Sequence, residues 1–364
     1  MTAYDDARNA ITQAETDFLV TQAALTASEA AVAAREATIA EQEVQIDDLH
    51  VELLEAHNRI AELEALIPKP DGPMDHYGVC LVLQNGDDYG DLDAVLAELE
   101  YLGVRSIRAR FQSGERGAKV MDWCVRNGVK WCVSFAPEDW FEVGAASKTS
   151  ICAQFEDSLR ECLALPGALD VVKFIEVANE PNNSRNSTPI ADWPDRVIAL
   201  SLTAQAVRDE LAPGIPVLSA AMHVNDHGGA DWLKVIGSYA DLINLHSYPK
   251  GDEVTTLLDE RITTAQAAFP GLRVVVSEHG WVVSPPCVPP KSGGPRLVTA
   301  EQQETFVSHA PGLFFDHPEV EHAFLFELRD SETGGTGVQD CRGLVRSGTW
   351  RPAGEALRAL LAAA

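Results

Sequence analysis

From Ile11 onward one position in every seven is apolar: Ile11, Phe18, Leu25, Val32, Ile39, Ile46, Leu53, Ile60 and Ile67. A seven-residue apolar repeat held over so many turns predicts a left-handed coiled coil. The companion seam is weaker, running Ala14, Thr21, Ser28, Arg35, Gln42, Leu49, Ala56 and Leu63. Residues 1–67 contain neither glycine nor proline, so helix propensity agrees with the pattern. The expected element is a stalk of about 85 Å, at ~1.5 Å per residue. Isoleucine-rich seams lean towards three strands over two. The stretch "PKPDGPMDH", residues 68–76, cannot continue a helix and reads as a linker.

Past the linker the period changes. Short β-branched runs alternate with amphipathic stretches of helical spacing. The predicted strands are Tyr77–Leu83, Val104–Phe111, Val129–Phe135, Val171–Ala178, Ile215–Ser219, Leu242–His246, Arg273–Ser277 and Glu321–Phe326. Helices are expected at Asp91–Leu102, Lys148–Leu165, Pro194–Leu211, Val254–Ala268 and Pro352–Leu361. Eight βα units within residues 77–364 match a (β/α)8 TIM barrel. A doubly wound open sheet is the competing architecture, but no G-x-G-x-x-G follows the first strand.

Charge narrows the partners. The net charge is −27, and residues 1–67 hold 14 acidic and 3 basic side chains, so acidity extends over the whole chain. That balance disfavours nucleic acid and anionic membrane surfaces. No run reaches the ~18 apolar residues of a membrane span. The opening residues "MTAYDDARNA" have neither the basic nor the apolar part of a secretory signal. The seven cysteines form no C-x-x-C pair or zinc spacing, and neither a structural metal nor a cofactor is expected. Cys287 and Cys341, in Pro/Gly-rich loops, are the pair that an oxidising compartment could bridge.

Two apolar runs end in a glutamate. "FIEVANEPNN" closes the fourth predicted strand with Asn179, Glu180 and Pro181, and "RVVVSEHGW" closes the seventh with Glu278. The two glutamates are 98 residues apart, as three βα units require. With "NLHSYP" after strand six and the closing "GLVRSGTWRPAGEALRALL", residues 77–363 resemble the clan A glycoside hydrolases. Those are retaining (β/α)8 glycosidases with catalytic glutamates on strands four and seven.

The resemblance implies that Glu180 is the acid/base, Glu278 the nucleophile, and Asn179 a ligand of the sugar hydroxyl beside the reacting carbon. It also implies an arginine beside the nucleophile. Arg108 and Arg110 share one face of strand two, and Arg108 fits the clan's "IR" context. Parity points Glu176 into the barrel beside Glu180, where a partner is required. Tyr248 is expected to hold the nucleophile through its hydroxyl. His246 either faces the sugar or is a satisfied core histidine. Trp140 and Trp281 are either sugar platforms or core, and His223 and Asn225 lie on the loop after strand five. The clan commonly places a tryptophan at the end of strand eight, where this chain reads "FLFELRD".

The expected activity is retaining hydrolysis of a polysaccharide or glycoconjugate, and a transglycosylase would share every residue named. An acidic coiled coil without a signal, joined to a glycan hydrolase, resembles bacteriophage tail-associated proteins, which implies a homo-oligomer, a virion location and a cell-envelope glycan. The alternatives are a non-catalytic glycan-binding barrel and a structural fibre.

Overall fold

The computed structural model describes residues 73–83, 89–136, 138–141, 144–181, 191–221, 233, 235–248, 254–269, 273–281, 283, 298–330, 342–346 and 348–363, together with Gln13, Gln22, Ser28, Val32 and Arg35. The chain divides into two units, Met1–Pro70 and Asp71–Ala364. In the first, those five residues are helical and exposed. The rest of the expected heptad seam lies outside the described residues, as do His223, Asn225, Cys287 and Cys341.

In the second unit eight strands alternate with helices: β1 Tyr77–Leu81, β2 Ser106–Arg110, β3 Lys130–Ala136, β4 Val172–Ala178, β5 Val217–Leu218, β6 Ile243–Ser247, β7 Val274–His279 and β8 Val320–Leu325. The helices are α1 Leu92–Leu102, α2 Glu115–Asn127, α3 Lys148–Leu163, α4 Trp193–Leu211, α5 Val254–Ala268, α6 Ala300–Phe315 and α7 Pro352–Ala363. Local chemistry sets several ends. Asp91 caps α1, and Gly103, in the left-handed region, stops it. Thr299 and Gln302 form a reciprocal capping box at the start of α6.

All neighbouring strands of the sheet are parallel, in the order β5-β4-β3-β2-β1-β8-β7-β6. The two ends of that order meet. Ser219 N–H donates to Leu242 O at 3.0 Å and Asp241 N–H to Val217 O at 2.9 Å. Farther up, the Ser219 hydroxyl oxygen replaces a carbonyl and accepts from Asn244 N–H at 2.9 Å. The sheet is therefore a nearly closed (β/α)8 barrel, as the strand count predicts.

Strand parity sorts the core. Ile107, Val133, Ile175, Leu245 and Val276 face the helices. Cys80, Cys132, Phe174, Leu218, Val275 and Phe324 fill the barrel. Below that filling, Ser106 Oγ and His322 Nε2 share a hydrogen bond of 2.9 Å. A Cβ on Gly78 would lie 2.5 Å from that hydroxyl oxygen and 2.6 Å from the Phe324 ring, so the floor has room for glycine alone. Polar side chains take over above the apolar layer.

Candidate active site

Arg108 is the hub of that polar layer. Its fork donates to Glu176 twice, Nε to Oε2 and Nη2 to Oε1, both at 2.5 Å. Nη1 donates to Glu278 Oε1 at 2.6 Å, and Nη2 also donates to Asn179 Oδ1 at 2.7 Å. All four side chains are buried. A planar guanidinium with five N–H groups suits such multiple acceptors, which a lysine could not satisfy. Glu176 thus points inward, with the strand-two arginine as its partner.

Glu278 reaches the interior through a slip in register. Val275 faces the barrel, so strict alternation would turn Glu278, three residues on, towards the helices. The pairing of β6 with β7 shifts between Leu245 and His246, so that Leu245 faces Val276 while His246 faces Glu278. The extra residue, Ser277, absorbs the slip as a bulge would, and Glu278 turns in. His279 then points out, packed against Phe314, Tyr77 and Phe306 with ring centroids 4.3, 5.3 and 5.8 Å away. A Cβ on Gly280 would lie 2.4 Å from Phe326 O, so the ends of β7 and β8 close up only because that residue is glycine.

Glu180 stands two residues beyond the end of β4. Its φ of 41° places it in the left-handed region, which costs a side chain of this size about 1–2 kcal/mol. Its N–H donates to Ala221 O at 3.0 Å. The side chain is 3% exposed, and Oε1 lies 2.6 Å from His246 Nδ1. The same nitrogen is 3.4 Å from Glu278 Oε2. The Tyr248 hydroxyl donates to that Oε2.

Electrostatics favours the ionised form of Glu278. Burial pushes Glu278 up, but attraction to His246 and Arg108 and the Tyr248 hydrogen bond prevail over burial and Glu180, and the net shift is downward. Burial, then the Glu278 charge, raises the Tyr248 hydroxyl well above its ordinary value, so it stays a donor. One ligand atom each from Glu180, His246 and Glu278 lie within 4.8 Å of one another, a triplet that could hold a cation. Arg108, Tyr248 and His246 already engage those carboxylates.

The two predicted tryptophans make contacts with the core and with helix residues. Trp281 stacks on Phe306 of α6 with centroids 4.8 Å apart. Trp140 is half-buried in a 3-10 turn, Glu138–Phe141, against the core. Phe326 stands at the end of β8, its ring 6.2 Å from that of Tyr248. Two neighbours escaped the sequence reading. Glu327 is buried, receives a 3.4 Å hydrogen bond from the Tyr89 hydroxyl, and is pushed well above its ordinary value by burial. Arg342 stacks over Tyr248, its guanidinium carbon 4.4 Å from the ring centroid. "FLFELRD" placed Glu327 near the mouth in principle. Nothing in the local pattern marks Arg342.

No protein-family model matches this sequence, and no curated protein matches it. Solved structures do match in fold. A GH2 β-galacturonidase from Eisenbergiella tayi bound to galacturonate superposes with a TM-score of 0.58 at 14% identity, over 79% of this chain and 51% of that one. A β-glucuronidase from Ruminococcus gnavus gives 0.58 at 13% identity, over 78% and 50%. The chain thus spans about half the length of the structures it matches. The likeness shows the fold: a barrel of the kind these glycoside hydrolases carry.

Proposed function

We propose that this protein is a retaining O-glycosidase. The observation that carries the reading is the pair of buried carboxyls at the ends of β4 and β7, one oxygen of each lying within 4.8 Å of one of the other, a closeness that suits the shorter of two known spacings. Retaining enzymes hold the two groups ~5–5.5 Å apart, whereas inverting ones leave ~6.5–9.5 Å for a water. The downward shift of Glu278 suits a nucleophile that must be ionised.

Glu278 attacks the anomeric carbon while Glu180 gives its proton to the departing glycosidic oxygen, so one C–O bond forms as the other breaks. Glu180 then takes a proton from water, whose oxygen attacks the same carbon and releases Glu278. His246, on Glu180, positions the acid/base. Arg108 and Tyr248 hold the nucleophile, and Asn179, fixed by Arg108, binds the hydroxyl beside the reacting carbon. The heptad repeat supports an oligomeric stalk, favouring a trimer, that presents several barrels to a multivalent glycan such as a cell envelope. A tail-associated virion protein fits that arrangement.

The test is release of reducing ends from a panel of purified polysaccharides, arabinogalactan and polyuronides included, with Glu278→Ala alongside. The structurally similar enzymes are described with galacturonate and glucuronic acid bound, which puts sugar acids on that panel. Wild-type release that disappears in the variant, with the product first formed as the retained anomer by NMR, is expected. Release surviving Glu278→Ala, or an inverted product, would overturn the assignment.

A further inference from the structure

Among the described residues, two guanidinium groups stand at the proposed nucleophile, and they are in opposite states. Arg108 is saturated by Glu176, Glu278 and Asn179. Arg342 is partly buried, and among the described residues it has no ion pair and its buried Nε has no hydrogen-bond partner. Its guanidinium carbon is 4.4 Å from the Tyr248 ring centroid and 5.7 Å from that of Phe326. Tyr248 in turn bonds to Glu278, so one side chain links Arg342 to the proposed nucleophile. The nearby carboxyl of Glu327 is attracted to it, but burial outweighs that attraction and favours the protonated form of Glu327.

A planar cation lying against two aromatic rings is pre-organised, since stacking fixes the guanidinium plane while its edge keeps N–H donors for a ligand. A chain of net charge −27 would ordinarily pair such a group with one of its many carboxylates. An arginine with no carboxylate paired to it among the described residues is complementary to an anion brought by the ligand.

We propose that Arg342 forms an anion subsite for a negatively charged substituent of the sugar seated at Glu278, and that it makes the protein selective for acidic glycans. The inference rests on the glycosidase reading for its position, but the binding it asserts does not require turnover. A carboxylate at C5 and a phosphate ester at C6 would present the same charge, and the arms of the experiment separate them.

Isothermal calorimetry with sodium D-glucuronate, D-glucose and D-glucose 6-phosphate would be run on the full chain and on Arg342→Gln and Arg342→Lys. Turnover of paired 4-nitrophenyl glycosides, glucuronide with glucoside and galacturonide with galactoside, would be measured beside it. The expected result is a charged-over-neutral preference that falls by about 10- to 100-fold in Arg342→Gln, the scale of a charge-assisted hydrogen bond, with partial retention in Arg342→Lys. Preference for glucuronate over glucose 6-phosphate assigns the subsite to a carboxylate, and the reverse order to a phosphate ester. A wild type that binds glucose as well as either anion, or a preference unchanged within twofold in Arg342→Gln, would overturn the proposal. Should Arg342→Gln fail to fold, the wild-type comparison and Arg342→Lys still decide it. Anion-selective binding without turnover of any glycoside would sink the glycosidase reading and leave the subsite standing.

Discussion

Tyr248 spends its hydroxyl on Glu278 while its ring carries Arg342. Removing the hydroxyl alone separates those roles. Glu278 sits below its ordinary value partly through this bond, so Tyr248→Phe should raise its pKa. A nucleophile must be ionised, and the acidic limb of kcat/KM should therefore move to higher pH, with kcat down about 10-fold or more for one lost charge-assisted bond. A pH–rate profile reads both. Arg108 makes a second prediction. Replacing it with leucine leaves Glu176 and Glu278 buried without their cation, and the chain should lose about 3–5 kcal/mol in urea unfolding. At this scale the inward faces of Arg108 and Tyr248 followed from parity and the positions of the two glutamates from strand ends, although parity alone would have turned Glu278 outward. Arg342 was not legible, since a loop residue declares its neighbours only after the barrel has closed.

Element by element, most strands fall within a few residues of their hydrophobic pattern, because a parallel strand buried on both faces leaves an unbroken apolar run. β5 is shorter than its pattern, at Val217–Leu218. There the Asp241 carboxylate captures Val217 N–H at 2.8 Å, and Ser219 Oγ stands in for a backbone acceptor. The slip in β7 was invisible, since a one-residue bulge leaves composition unchanged while reversing which side chains face inward. One product of that slip can be tested. His279 is wedged between β7 and α6, neither ring nitrogen has a partner among the described residues, and burial pulls its pKa down to about 3. The unfolded chain takes up this proton near pH ~6.5. Stability from this group is therefore complete above that value and drains away as pH falls towards 3, a loss approaching about 4–5 kcal/mol. His279→Phe should flatten this stretch of a plot of urea midpoint against pH.

For the whole molecule the division at Pro70 gives a direct experiment. Residues 71–364 expressed alone should sediment as a monomer and keep activity on short soluble substrates. The full chain should sediment as an oligomer, and activity on an immobilised polymer should favour it. Equal sedimentation of the two would remove the stalk from the account. The barrel itself has a seam. Between β4 and β6 stands a strand of two residues, and above it the Glu180–His246 contact spans the gap from one side to the other. The proposed acid/base thus also serves as a clasp at the shortest stave of the cask. Unfastening it with His246→Ala should hasten deuterium uptake at Ser219 and Asn244 ahead of the amides in β2 and β3. One hydrogen bond would thus join the proposed chemistry to the closure of the hoop.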